Sequence, residues 1–178
     1  CSDFVSKSTL LSEAYVGSEW ETVEANIPVS ALNIETPLSL DLVAFYNEES
    51  MAEIKARESG KSPILRLTVN GTEKDFEATD DGYIRLGSYS DKNFGKEEKM
   101  YVKLQGADLG DETYRSKIKF DISSLGTLSG VTSAKLVFEG KASPLNNEKK
   151  RILIIKSYSA LWKEDTLNFK SHVYDYRS

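Results

Sequence analysis

The sequence predicts an all-β protein, a β-sandwich of two antiparallel sheets with little helix. Three observations predict it. Short runs in which apolar and polar residues alternate recur along the 178 residues, the pattern of strands with one buried face. Clusters of Gly, Pro, Asn, Asp and Ser punctuate them. Only Asn47 to Lys61 has helical leanings, and it is too short to stand as an independent helix. A single sandwich can absorb a chain of this length.

In chain order, residues 1–18 are weakly patterned and end at Gly17. Trp20, Thr22 and the run Val23 to Val29 read as a strand. After Pro37, Leu38, Leu40, Leu42 and Ala44 alternate against Ser39, Asp41 and Val43. A short strand is expected near Ala52–Ala56. Ser59-Gly60-Lys61-Ser62-Pro63 ends like a phosphate-binding loop, but Pro63 forbids the following helix and the upstream glycine is missing. Ile64, Leu65, Leu67 and Val69 form the next strand, closed by an Asn70-Gly71 turn that is also part of a glycosylation sequon. The acidic stretch 70–80 is the linker candidate. Strands follow at Tyr83–Leu86, Lys99–Leu104, Arg115–Ile122, Ser133–Glu139 and, central because nearly all apolar, Arg151–Tyr158. Trp162 is a loop anchor, and Trp20 reads the same way.

Charge is uneven. Residues 1–80 carry a balance of −9 and residues 81–178 one of +4, within a net charge of −5. An acidic half beside a basic half favours their docking. No domain is basic enough for a nucleic-acid footprint, and no apolar run is long enough for a membrane-spanning helix. Cys1 is the single cysteine, so no internal disulfide forms. A Cys at the start also suits a processed lipoprotein, lipid-anchored at the cell surface.

Several motifs together resemble the DNRLRE-type jelly-roll domain, a family of non-catalytic carbohydrate-binding modules. The opening pattern is matched by Asp81, Tyr83, Arg85, Gly87, Ser88, Tyr89, Asp91, Asn93, Phe94 and Gly95. Val102-Lys103, then Arg115 and Ile118 to Ser123, then Ala134-Lys135-Leu136 and Trp162, Glu164 and Thr166 follow in order. The closing pieces of the pattern stand at the beginning of this chain: Trp20, Val23, Leu38–Phe45, Arg57-Glu58-Ser59, Pro63 and Leu65. The resemblance therefore implies one jelly roll in circularly permuted order, with 1–69 as the closing half, 70–80 as linker and 81–178 as the opening half. Sandwich termini tolerate such permutation. Alternatively, the two halves complete neighbouring subunits in a head-to-tail array.

The resemblance implies polysaccharide binding, outside the cell or on its surface, with an acidic polymer held on a basic sheet face. Arg85, Lys103, Arg115, Lys117 and Lys119 are the cationic candidates, since guanidinium and ammonium groups suit uronate carboxylates. Tyr101 is a candidate for stacking on a sugar ring. The competing reading of that face is a solvated strand surface whose lysines discourage edge pairing. Asp81, Asp91 and Asp108, with Asp80 and Asp111, sit in loops as calcium ligands do, and jelly rolls of this kind often carry a structural calcium. Catalysis is not expected: His172 is the only histidine, without a nucleophile motif around it. A strand-sharing filament or adhesin subunit is the second reading of function, and an enzyme the third.

Overall fold

The computed structural model describes residues 9–106, 110–145 and 148–170. Among the described residues, eleven strands, all paired antiparallel, form two sheets. The described residues contain short 3₁₀ turns and no α-helix. Sheet A has the order β1 (Thr9–Val16), β11 (Lys150–Lys156), β3 (Leu38–Ala44), β9 (Tyr114–Phe120), β7 (Asp80–Arg85). Sheet B is built around the long β10 (Val131–Ser143), which pairs with β2 (Glu21–Ile27), β4 (Met51–Lys55) and β5 (Ile64–Val69). The strands β6 (Thr72–Glu77) and β8 (Lys99–Val102) close it at its two edges.

The alternation read from sequence sets the inner faces. Leu38, Leu40 and Leu42 of β3, Ile118 and Phe120 of β9, and Ile152 and Ile154 of β11 are buried from one sheet. Leu65, Leu67, Leu136, Phe138, Ile54, Met100 and Val102 meet them from the other. At about 25 cal/mol per Å² of apolar surface, this shared core is the main driving force for folding.

Strands from the two ends of the chain interleave. β3 lies between β9 and β11, and β1 pairs with β11 along Tyr15↔Arg151. β10 takes β2, β4 and β5 as neighbours. Ion pairs follow the same division: Asp41–Lys117, Glu48–Lys150, Glu13–Arg151 and Arg57–Glu164 each join the acidic first half to the basic second.

Three expectations are corrected. The weakly patterned start forms β1, where Ala14 and Val16 face the core and Tyr15 faces out; an exposed tyrosine and a small alanine blur the alternation. The stretch 70–80 is not a linker. Asn70 and Gly71, with φ of 51° and 82°, make a tight hairpin turn into β6, whose polar residues are tolerated because it is an exposed edge strand. Finally, the face of β9 opposite the core is not in water. Arg115, Lys117 and Lys119 are all buried.

That outer face of sheet A is covered by the segment 157–170. Trp162, 1% exposed, packs with Ile84, Leu86, Leu167 and Phe169 in a second small core. Its indole Nε1 donates to Ser39 Oγ at 2.8 Å. Beneath it, Lys117 Nζ lies 2.6 Å from Asp41 Oδ1, which also accepts from Ser157 Oγ. Lys119 donates to the carbonyls of Ala160 and Trp162. The loop after β7 locks this cover in place. Asn93 Nδ2 donates to the carbonyls of Glu164 and Leu167. Gly95 sits so close to Glu164 that a Cβ would stand 1.8 Å from its carbonyl oxygen.

Lys117→Met leaves Asp41 as an uncompensated buried charge and should cost about 3–5 kcal/mol. Urea denaturation measures it. The double variant Asp41→Leu/Lys117→Met should recover most of the loss, because no charge then remains buried without its partner.

Candidate functional site: a basic aromatic face and a buried carboxylate cluster

The cations expected on one binding face do not share one. Arg115, Lys117 and Lys119 lie under the cover of sheet A. Arg85 stacks between Tyr89 and Tyr114, at 3.7 and 4.9 Å from their ring centres, and its Nε donates to the Asp111 carbonyl. Arg85 and Lys103 both reach Glu112, at 3.6 and 3.1 Å. Tyr101 belongs to an aromatic group with Tyr83, Phe94 and Tyr114 where β7 approaches β8. Sequence alone could not separate exposed from covered lysines, because alternation reports which side a residue faces and not what lies above that side.

The open sheet face is that of sheet B, and lysines gather on it where β10, β4 and β8 adjoin. Register places Lys141 of β10, Glu53 of β4 and Tyr101 of β8 in one cross-strand row, with Lys55 opposite Lys99 in the next. Trp20, just before β2, is only partly buried. The ammonium groups of Lys55, Lys141 and Lys99 stand 4.9, 5.3 and 5.9 Å from its ring centre. Glu53 is shared between Lys99 at 3.1 Å and Lys141 at 3.8 Å. Three positive charges thus gather at one indole with a single carboxylate tied among them. Cation–π attraction to the indole offsets part of their mutual repulsion. Trp20 was expected to be a core or loop anchor; it is half-buried, beside strands carrying outward lysines.

A second exposed aromatic group, Tyr15, Phe45 and Tyr46, surrounds Arg151 at the open end of sheet A. There the guanidinium is neutralised by Glu13, whose carboxyl it holds below the usual range. It leaves no surplus charge to recognise a ligand.

The expected metal ligands also separate. Asp108 lies outside the described residues, and Asp91 is exposed in its loop. Asp81 is fully buried and meets two carboxylates that were not expected there, Glu58 and Glu164; one oxygen of each of the three lies within 4.8 Å of the others. The signal was present in the motifs, since Arg57-Glu58-Ser59 and Trp162-x-Glu164 were both singled out, but their meeting depends on tertiary structure. Arg57 Nη1 contacts both Glu164 oxygens at 2.8 Å, its backbone N–H donates to Asp81 Oδ2 at 2.9 Å, and the Asp81 N–H donates to Glu164 at 3.0 Å. Burial, with Glu58 and Glu164 nearby, pushes the Asp81 carboxyl up to about 7, and burial also raises Glu58.

The family model of carbohydrate-binding module family 96 matches residues 72–172, more than half of the chain, and the chain belongs to that family. The family is one of binding modules rather than catalytic domains. No curated protein matches the chain.

A carboxyl whose folded pKa lies near 7, against its ordinary 3.8, stabilises the fold below about pH 4 and loses that contribution as pH rises through 7. In chelated buffer, thermal melts should therefore show the midpoint falling between pH 5 and pH 8. Asp81→Asn should remove most of that slope.

Proposed function

We propose that the chain is a non-catalytic module, working outside the cell or on its surface, that binds an acidic polysaccharide on the open face of sheet B. The observation that carries this reading is the gathering of Lys55, Lys99 and Lys141 around Trp20, where Glu53 bridges Lys99 and Lys141. In a chain of net charge −5, such a local surplus of positive charge has a ligand as its natural complement. A uronate would exchange with Glu53 for the ammonium groups, while the indole offers an apolar face to the sugar ring. Tyr101 borders the same row. Arg85 and Lys103 contribute less, since both are engaged with Glu112.

The permuted order is part of this reading. Family resemblance runs from residue 72 onward, while β2, β3, β4 and β5 supply neighbours for β9, β10 and β11 within the same chain. We read one chain as folding on itself, because the strands of its first half are the neighbours of those of its second.

Affinity electrophoresis against alginate, pectin and a neutral glucan tests the site. The unaltered chain should be retarded by the two acidic polymers and not by the glucan, with retardation falling as salt rises. Each of Lys55→Ala, Lys99→Ala and Lys141→Ala should weaken binding roughly two- to fivefold, and Trp20→Ala more. Equal migration in all gels would refute polysaccharide binding. Selective retardation that survives the triple lysine variant would place the site elsewhere.

A further inference from the structure

We propose that the lysine cluster is the middle station of a track along β10, and that the track selects a polysaccharide whose uronates are set among uncharged sugars rather than joined in an unbroken run. This rests on the sheet B reading above and names the class of polymer such a site takes.

A hollow lies on each side of the cluster. β10 pairs with β5 up to Val137 and with β4 from Gly140, so a gap opens beside Phe138 and Glu139. The first hollow, of about 220 Å³, occupies that gap, and Gly60 to Ser62 form its far wall. Lys141, two residues beyond Glu139, is one of the three lysines at Trp20. Pro144 and Leu145, just past the strand, line the second hollow, of about 390 Å³. One cross-strand row, Ser143↔Met51, separates it from Lys141↔Glu53. Lys149 at its wall reaches Glu21, the chain neighbour of Trp20, at 3.4 Å. From Val137 to Ser143 the strand covers about 20 Å, more than a single sugar ring spans.

Charge changes sign along this track. At the centre, Lys55, Lys99 and Lys141 outnumber Glu53. The first hollow sets Glu77 and Glu139 against Lys61. The second is lined by Glu48, Glu49 and Glu148, and the cations beside them are engaged. Buried Lys150 donates to Glu48 and Ser50 at 3.0 and 3.1 Å, and Lys149 turns to Glu21. Both flanks therefore carry a negative surplus. A uronate at the centre is matched, whereas a uronate in either flank meets carboxylates of its own sign.

An uncharged ring suits the flanks. Ile64 and Val137 in the first hollow, and Tyr46, 53% exposed, at the second, offer apolar surface to it. Ionised carboxylates accept hydrogen bonds from its hydroxyls. The same groups that repel a second uronate thus hold a neutral sugar.

Pectins that share one backbone and differ in methyl esterification test this, because each ester removes a uronate charge and keeps the ring. Binding to the full chain is measured by affinity electrophoresis and calorimetry at low salt, where exposed charges are least screened. Half-esterified pectin should bind roughly three- to tenfold more tightly than fully de-esterified polygalacturonate. The pairs Glu77→Gln/Glu139→Gln and Glu49→Gln/Glu148→Gln keep a hydrogen-bonding amide at each position. Each pair should bring that ratio closer to one, chiefly by tightening the hold on polygalacturonate. All four side chains reach solvent, so both variants should fold. Polygalacturonate binding as tightly as half-esterified pectin would overturn the inference and leave the sheet B site standing. So would a preference unchanged in both variants. Absence of binding to every pectin would instead remove the site itself, and the inference with it.

Discussion

The buried pair of Lys117 and Asp41 constrains much of the rest. The two residues face each other across β9 and β3, at 0% and 1% side-chain exposure. Taking two charges out of water is expensive, and the mutual attraction repays it only when the pair is close and its remaining bonding capacity is met. Ser157 supplies a hydroxyl to Asp41, and Trp162 lies above, its ring 5.8 Å from Lys117 Nζ. The segment 157–170 must therefore lie over sheet A. Once it does, Lys119 is buried too, and its ammonium is served by backbone carbonyls. Burial lowers its pKa below the usual lysine range despite the nearby Asp80.

This cover decides which face can bind. Sheet A presents packed aromatic and aliphatic side chains under a strap, with ionic groups consumed internally. Sheet B keeps an open row in which lysines have one carboxylate to share among them. Charge in the two halves of the chain is spent in two ways. Some of it pairs across the divide, as in Glu48–Lys150 and Glu13–Arg151. Some of it gathers around Trp20, where the second half contributes Lys99 and Lys141 and the first contributes Lys55, Glu53 and the ring. This cluster forms because strands of the two halves share sheet B.

Much of the fold was legible in the sequence. Period-two alternation located β3, β5, β9 and β10, and the apolar run of β11 marked it as central, between β1 and β3. The Asn70-Gly71 turn was legible from its chemistry, although the polar strand after it was not, because edge strands need no apolar face. The site was less legible. Asp41 inside LSLDLVAFY was the one sign that a lysine across the sheet would be buried; a charge at an outward position in so apolar a strand demands a partner. The lysines around Trp20 come from β4, β8 and β10, and nothing local to any of them announces the ring they share. Glu58 and Glu164 were visible as motif members, but their meeting with Asp81 spans more than a hundred residues of sequence.

The motif residues also divide by role. Asn93, Gly95, Trp162, Arg57, Asp81 and Glu164 bond chiefly to one another or to backbone. Their work is to close the loop after β7 onto the loop after Trp162 and to hold the strap on sheet A. They describe a scaffold, which is why they identify the family and say little about the ligand. Trp20 is an aromatic motif residue beside the open face, and Lys55, Lys99 and Lys141 lie outside the pattern altogether. A ring fixed by the scaffold with charges set independently around it separates the two demands on such a module. Under the proposed function the aromatic platform would supply affinity for a sugar ring, and the lysines at the surrounding strand positions would select among polymers by charge.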